Sequence, residues 1–312
     1  MALTSLLDLQ LAVPAPSDLE AFWVRRGMQV TAPGVLGTAD RPSQLRLREG
    51  AYRHVAEMRV ACETEAELSQ IAARLADLGV ASEQGDGFLR CADPVLDHDV
   101  IVEVTAATPI TEPAHQPLNI PGRADRLDRR SPACLGLAPQ APRRVGHVVF
   151  GTTDVEASRA FYVDGLGFRV SDSFGTFAYF LRCSTDHHNI LLAPSQVPVM
   201  NHYAMEMDDV DAIGLAGGQI TTENPDASIA GIGRHVVGAN MFWYLLDPAG
   251  GMFELYTDMD RITDDETWAA EQFRDDWDPF TVAAWNSTGI KADFFEPVDI
   301  AAIAKAREVA GR

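Results

Sequence analysis

The strongest constraint on this chain is that its two halves read as diverged copies of one another. Residues 5–13, SLLDLQLAV, form a short apolar run, and residues 144–151, RVGHVVFG, form another. Both suit strands by length and branching. Each run leads into a helix signal. Ser17 to Glu20 precedes LEAFWVRRG, and Thr153 to Glu156 precedes VEASRAFYVDG. Both groups have capping-box spacing, which predicts helices stopped at Gly27 and Gly165. The copies align twice more. A strand opening at His54 matches one opening at His202, and a strand around Glu103 matches one around Glu254. The last two each follow an Asp-Pro turn, at Asp93 and Asp247. Each copy reads as strand, helix and several strands, then the same again. The expected fold is therefore α+β, with four repeated βαβββ units forming two domains.

Composition divides the 312 residues further. Residues 1–105 form the first domain, and residues 106–142, rich in proline and without sustained periodicity, read as a linker. Residues 143–257 form the second domain, and 258–312 form an acidic tail with Trp268, Trp277 and Trp285. The tail reads as a lid, an oligomer contact or a segment packed on the exterior. The net charge of −20 repels nucleic acid and anionic membrane surfaces, so neither is expected as a partner. No run of 18 apolar residues exists to span a bilayer. The four cysteines have no metal-binding spacing and read as reduced thiols, which places the protein in the cytoplasm.

Five of the eight histidines lie between residues 147 and 235. His147 and His202 each stand near the start of a unit's first strand. Glu254 stands inside the apolar strand MFELY, with Met252 and Tyr256 as same-face neighbours. Burying a lone carboxylate there costs several kcal/mol, and a cation removes that cost. Two histidines and a carboxylate from separate strands match the facial triad of non-haem Fe(II) oxygenases, with the opposite face open to ligands. The competing reading is two packed histidines and an ion-paired glutamate, which spacing alone favours. In the first half His54 and Glu103 stand in the matching places, but no histidine precedes His54. That half is expected to be metal-free.

The segment GIGRHVVGANMFWYLLDPAGGMFELYTDMDRI resembles the C-terminal signature of type I extradiol ring-cleavage dioxygenases, in the vicinal oxygen chelate superfamily. GHVVFGTTDVEASRAFYVDGLGF, DHHNILLA and MNHYAMEMDDVD are similar to the family's other stretches, in the same order. The resemblance covers residues 143–260 and, more faintly, 1–105. It implies metal ligands at His147, His202 and Glu254, holding Fe(II), with Mn(II) also suited. It implies an acid–base histidine at His188, the second of an adjacent pair; neighbouring strand residues point to opposite faces, which leaves His187 on the surface or facing the linker. It implies substrate-holding groups at His235 and Tyr244. The reaction implied is extradiol cleavage of a small aromatic diol by O2, in a homo-oligomer. Where biphenyl-diol members carry Asn-Asp, this chain has Val237 and Gly238, which argues against a biphenyl-type substrate. The rival readings are another metalloenzyme of the superfamily (glyoxalase, epimerase or thiol transferase) and a non-catalytic ligand-sequestering protein.

Overall fold

A computed structural model describes residues 3–106, 112–113, 116–138, 140–270, 281–289, 297 and 299–311. The first half runs β1 (Leu3–Val13), α1 (Pro16–Val24), β2 (Gln29–Ala32), β3 (Val35–Gly37), β4 (Leu45–Glu49), β5 (His54–Cys62), α2 (Glu65–Asp77), β6 (Ser82–Gly85), β7 (Phe88–Ala92) and β8 (Asp99–Val104). A short hairpin, β9 (Asn119–Ile120) and β10 (Arg123–Ala124), lies in the linker. The second half runs β11 (Arg144–Thr152), α3 (Val155–Arg159), β12 (Arg169–Ser173), β13 (Tyr179–Arg182), β14 (Ile190–Pro194), β15 (Val199–Glu206), α4 (Val210–Glu223), β16 (Ser228–His235), β17 (Met241–Leu246) and β18 (Met252–Thr257). The tail adds α5 (Asp265–Ala270), β19 (Ala283–Asn286) and α6 (Ile300–Val309).

The two large sheets have one topology. The first is ordered β2-β3-β4-β1-β5-β8-β7-β6, and the second β12-β13-β14-β11-β15-β18-β17-β16, with β19 on its edge. Each is two βαβββ units joined antiparallel through their first strands, β1 to β5 and β11 to β15. Within every unit the first strand pairs in parallel with the last. The four expected units are present. Every residue of β11 and β15 is buried, because both faces of these central strands are covered.

The helix ends differ from the capping boxes read in the sequence. The first helix starts at Pro16 after Ala15, with no side-chain cap, so Ser17 sits inside its first turn. Proline supplies the start instead, since its missing N–H would be unpaired there anyway. The third helix is capped by Asp154, not Thr153, whose carboxylate accepts from the Ala157 N–H at 2.9 Å. It continues as a π-helical turn, Ala160–Leu166, and stops at Gly167, where φ is +93°, rather than at Gly165. Gly165 has another use. A Cβ there would lie 2.9 Å from Leu75 Cδ2, so glycine lets α2 of the first half approach.

One apolar core runs through both halves. Trp23 on α1 packs edge-on against Phe253 on β18, with ring centroids 5.1 Å apart, and its indole N–H donates to the Tyr203 hydroxyl at 3.1 Å. Tyr203 in turn donates to Asp247 at 2.8 Å. Because strand side chains alternate, anchoring Tyr203 on the core face turns its neighbours His202 and Ala204 to the opposite face.

Candidate metal centre

That opposite face of the second sheet carries a row of polar residues, in the spatial order of the strands. His188 precedes β14, His147 lies on β11, His202 on β15, Glu254 on β18, Tyr244 on β17 and His235 on β16. Register sets the spacing: Val149 pairs with His202, Ala204 with Glu254, and Glu254 directly with Tyr244.

His147, His202 and Glu254 are all buried, and their ligand atoms lie within 4.8 Å of one another. Glu254 Oε2 is 2.9 Å from His147 Nε2 and 3.3 Å from His202 Nε2. Asn240 donates to the other oxygen, Oε1, at 2.8 Å. His202 Nδ1 donates to Asn201 Oδ1 at 2.7 Å, which fixes its tautomer and leaves Nε2 as the lone-pair atom. Buried Nε2 has no hydrogen-bond partner among the described residues. Burial, partly offset by Glu254, pushes the His202 imidazole down to about 4, so it is neutral at pH 7. Burial alone would raise Glu254, but its histidine contacts hold the carboxyl well below its usual range. An ionised carboxylate between two imidazole nitrogens, one of them an orphaned lone pair, fits a divalent cation.

His235 and Tyr244 form a second pair. His235 Nδ1 donates to the Val282 carbonyl at 2.8 Å. Burial lowers the His235 pKa and raises the Tyr244 pKa, so both are neutral. The neutral ring must then accept through Nε2, and the Tyr244 hydroxyl donates to it at 2.8 Å. The tail therefore contributes to the site, through Thr281 and Val282 ahead of β19. Trp268 also packs inward, with its indole N–H on the Ser171 carbonyl, whereas Trp285 is exposed. Trp277 lies outside the described residues.

A cavity of about 50 Å3 borders His202, His235 and Tyr244, walled by Val149, Phe174, Ala178, Phe180, Leu191 and Val237. Most of that wall is a small apolar cluster separate from the main core. A larger cavity of about 660 Å3 lies between the linker and the start of α4, lined by Arg143, Asp208, Asp211 and Arg261 among others. No described histidine faces it, whereas His202 and His235 border the smaller one.

His187 is not at the surface. It is completely buried, and its ring bonds both His188 and Asp172. Sequence reasoning missed this because the pair lies in a bend before β14, where strand alternation does not apply.

The first half also departs from expectation. His54 and Glu103 do not stand in the places of His202 and Glu254. The bulges in β1–β5 and β11–β15 coincide, so pairs can be matched: Asp8 with Arg59 corresponds to His147 with Ala204, and Gln10 with Glu57 to Val149 with His202. Asp8 and Glu57 thus occupy the two histidine positions, and Ile101, paired with Arg59, that of Glu254. The Arg46 guanidinium reaches both acids, at 2.8 Å from Asp8 and 2.5 Å from Glu57. Arg59 bonds Glu57 at 2.9 Å and Glu103 at 3.1 Å. A fixed organic cation stands where the other half gathers metal ligands. Arg46→Met should destabilise the protein by about 3–5 kcal/mol, because buried Asp8 loses its paired cation and Glu57 keeps only Arg59. Urea unfolding measures it, and a loss below about 1 kcal/mol, the size of a surface pair, would refute the buried network.

Residues 144–255 match the model of the Glyoxalase/Bleomycin resistance protein/Dioxygenase superfamily. That stretch is similar to the superfamily's domain. The matched span contains the metal-ligand cluster, with His188, His235 and Tyr244. The chain is 35% identical to metapyrocatechase 2 of Cupriavidus necator over 134 residues, 42% of each protein. It is 33% identical to an iron-dependent extradiol dioxygenase of Rhodococcus jostii (strain RHA1) over 143 residues, 41% of this chain and 47% of that one. It thus spans less than half the length of these two relatives. The Mn(II)-bound glyoxalase from Novosphingobium aromaticivorans shares the fold with a TM-score of 0.72 at 22% identity, over 94% of both chains. That likeness shows a shared fold over both halves.

Proposed function

We propose that this protein opens a catechol-type aromatic ring by extradiol cleavage with dioxygen, at Fe(II) held by His147, His202 and Glu254. Mn(II) is the alternative ion for the same ligand set. The observation that carries the reading is the single sheet face on which two histidines and a carboxylate converge, flanked by His188, His235 and Tyr244 beside an apolar cavity. The relatives named as extradiol dioxygenases support it over the glyoxalase reading.

Bound there, Fe(II) supplies a Lewis acid for the diol oxygens and a redox centre for dioxygen. The protein supplies the rest. The apolar wall excludes water and packs the ring face. The Tyr244 oxygen, its proton given to His235, accepts from a substrate hydroxyl on the side opposite His188. His188, neutral because burial and neighbouring histidines push its pKa well down, accepts the diol proton and returns it during ring opening. The small cavity suits one ring better than two.

Anaerobic Fe(II) loading followed by oxygen uptake on a catechol panel tests the reading. Oxygen consumption with a coloured ring-opened product is expected, and no uptake with any catechol would sink it. The panel also reads selectivity. Among the described residues no lysine or arginine lines the cavity, so a carboxylate on the ring would find no partner among them. Carboxylated catechols should show kcat/KM roughly 100-fold below 3- or 4-methylcatechol, since several kcal/mol of desolvation goes unrepaid. Equal values would refute the apolar wall as the substrate-contacting surface.

A further inference from the structure

Asp172, His187 and His188 form a hydrogen-bonded chain that ends beside the metal-ligand cluster. His187 Nε2 lies 2.7 Å from Asp172 Oδ2, and His187 Nδ1 lies 3.0 Å from His188 Nδ1. The His188 ring rests against His147, with centroids 4.4 Å apart. The two rings are covered: Trp268 packs on His187 at 5.5 Å, and Phe180 stands edge-on to His187 at 5.6 Å and to His188 at 5.2 Å.

With both rings uncharged, these contacts allow a single proton order. The Asp172 carboxylate only accepts, so His187 carries its proton on Nε2. Its Nδ1 is then a lone pair. Two Nδ1 atoms at 3.0 Å share one proton, which His188 must provide. His188 is left with its lone pair on Nε2, the nitrogen on the far side of the ring from His187. Each proton position follows from the one before it, and Asp172 sets the first.

The geometry points to Asp172 and His187 as positioning residues for His188: they hold its ring in place and fix it as the Nδ1–H tautomer. Resting on the ring-cleavage reading, His188 then enters the cycle as a proton acceptor and becomes a donor only after taking the diol proton. A histidine with the opposite tautomer would present an N–H to the substrate and could not begin as a base. The sequence gives no sign of this, because Asp172 lies on β12, fifteen residues before His187 in the bend ahead of β14.

The test needs one readout that does not depend on turnover. Long-range 15N–1H imidazole spectra of the Zn(II)-loaded protein report which nitrogen of His188 bears hydrogen. The native protein should show Nδ1–H. His187→Phe removes the acceptor, so the preference should disappear. His187→Gln restores an acceptor oxygen, so it should return. Asp172→Leu frees the His187 tautomer and should give a mixture at His188. In the Fe(II) enzyme, His187→Phe and Asp172→Leu should lower kcat by roughly 10- to 100-fold, as loss of a supporting partner does elsewhere, with KM and iron content little changed. His187→Gln should recover most of the rate. A native Nε2–H signal at His188 overturns the proposal, and so does an unchanged tautomer in both His187→Phe and Asp172→Leu. A native enzyme that consumes no oxygen with any catechol, while showing the expected tautomer, sinks the ring-cleavage reading and leaves the relay standing.

Discussion

A His202→Ala protein should fail to hold its metal and lose all oxygen uptake. His202 contributes the orphaned Nε2 that points at Glu254 from 3.3 Å, with Nδ1 already committed to Asn201. No other described histidine can move in. His235 Nε2 lies 3.8 Å from the other Glu254 oxygen and is engaged by Tyr244. Removing a group that merely supports a ligand costs about 10- to 100-fold in metal affinity, and removing the ligand itself should exceed that. Metal analysis after gel filtration, with calorimetric titration of Fe(II) or Mn(II), measures it. Alanine also leaves Glu254 buried with one imidazole fewer, so some stability should go too. An iron-replete, active His202→Ala enzyme would disprove the ligand assignment outright.

His188→Phe should separate binding from chemistry. His188 touches His147 by ring contact and offers no nitrogen to the metal-ligand cluster. Phenylalanine fills similar space beside Phe180, so Fe(II) should bind as before. The proton function is lost, and kcat should fall by about 100- to 10,000-fold, the usual range for a positioned acid–base group. KM should change much less, because the apolar wall and the His235–Tyr244 pair remain. Stopped-flow turnover with 3-methylcatechol, normalised to iron content, provides the comparison. A rate within about twofold of native would take the proton role away from His188.

The sequence made some of this legible and hid the rest for identifiable reasons. The repeat was visible because four strand-and-helix units repeat their apolar pattern, and sheet topology follows from that pattern. The convergence of His147, His202 and Glu254 was visible only through resemblance. Ligands on three separate strands leave no local spacing, and their meeting depends on register. The first-half counterparts were misread for a related reason. Matching His54 to His202 used strand beginnings, whereas the bulges at Leu6/Asp8 and Gln10/Leu11 set the true correspondence. Bulges depend on twist and packing, so no residue type announces them. His187 was placed outside by an alternation rule that holds only within strands. The helix caps were misplaced by two residues and by one, because Pro16 and Asp154 compete with the neighbouring boxes.

Arg46, lodged between Asp8 and Glu57, makes the two halves unequal in a way that has nothing to do with catalysis. Each copy of the scaffold places negative charge in the middle of its sheet and must neutralise it. One copy carries its counterion on its own backbone, where no chelator or metal shortage can reach it. The other borrows its counterion from the surroundings and must get it back each time it is lost. The first half thus keeps its charge balance whether or not the second holds its cation, a standing counterpart beside an exchangeable part.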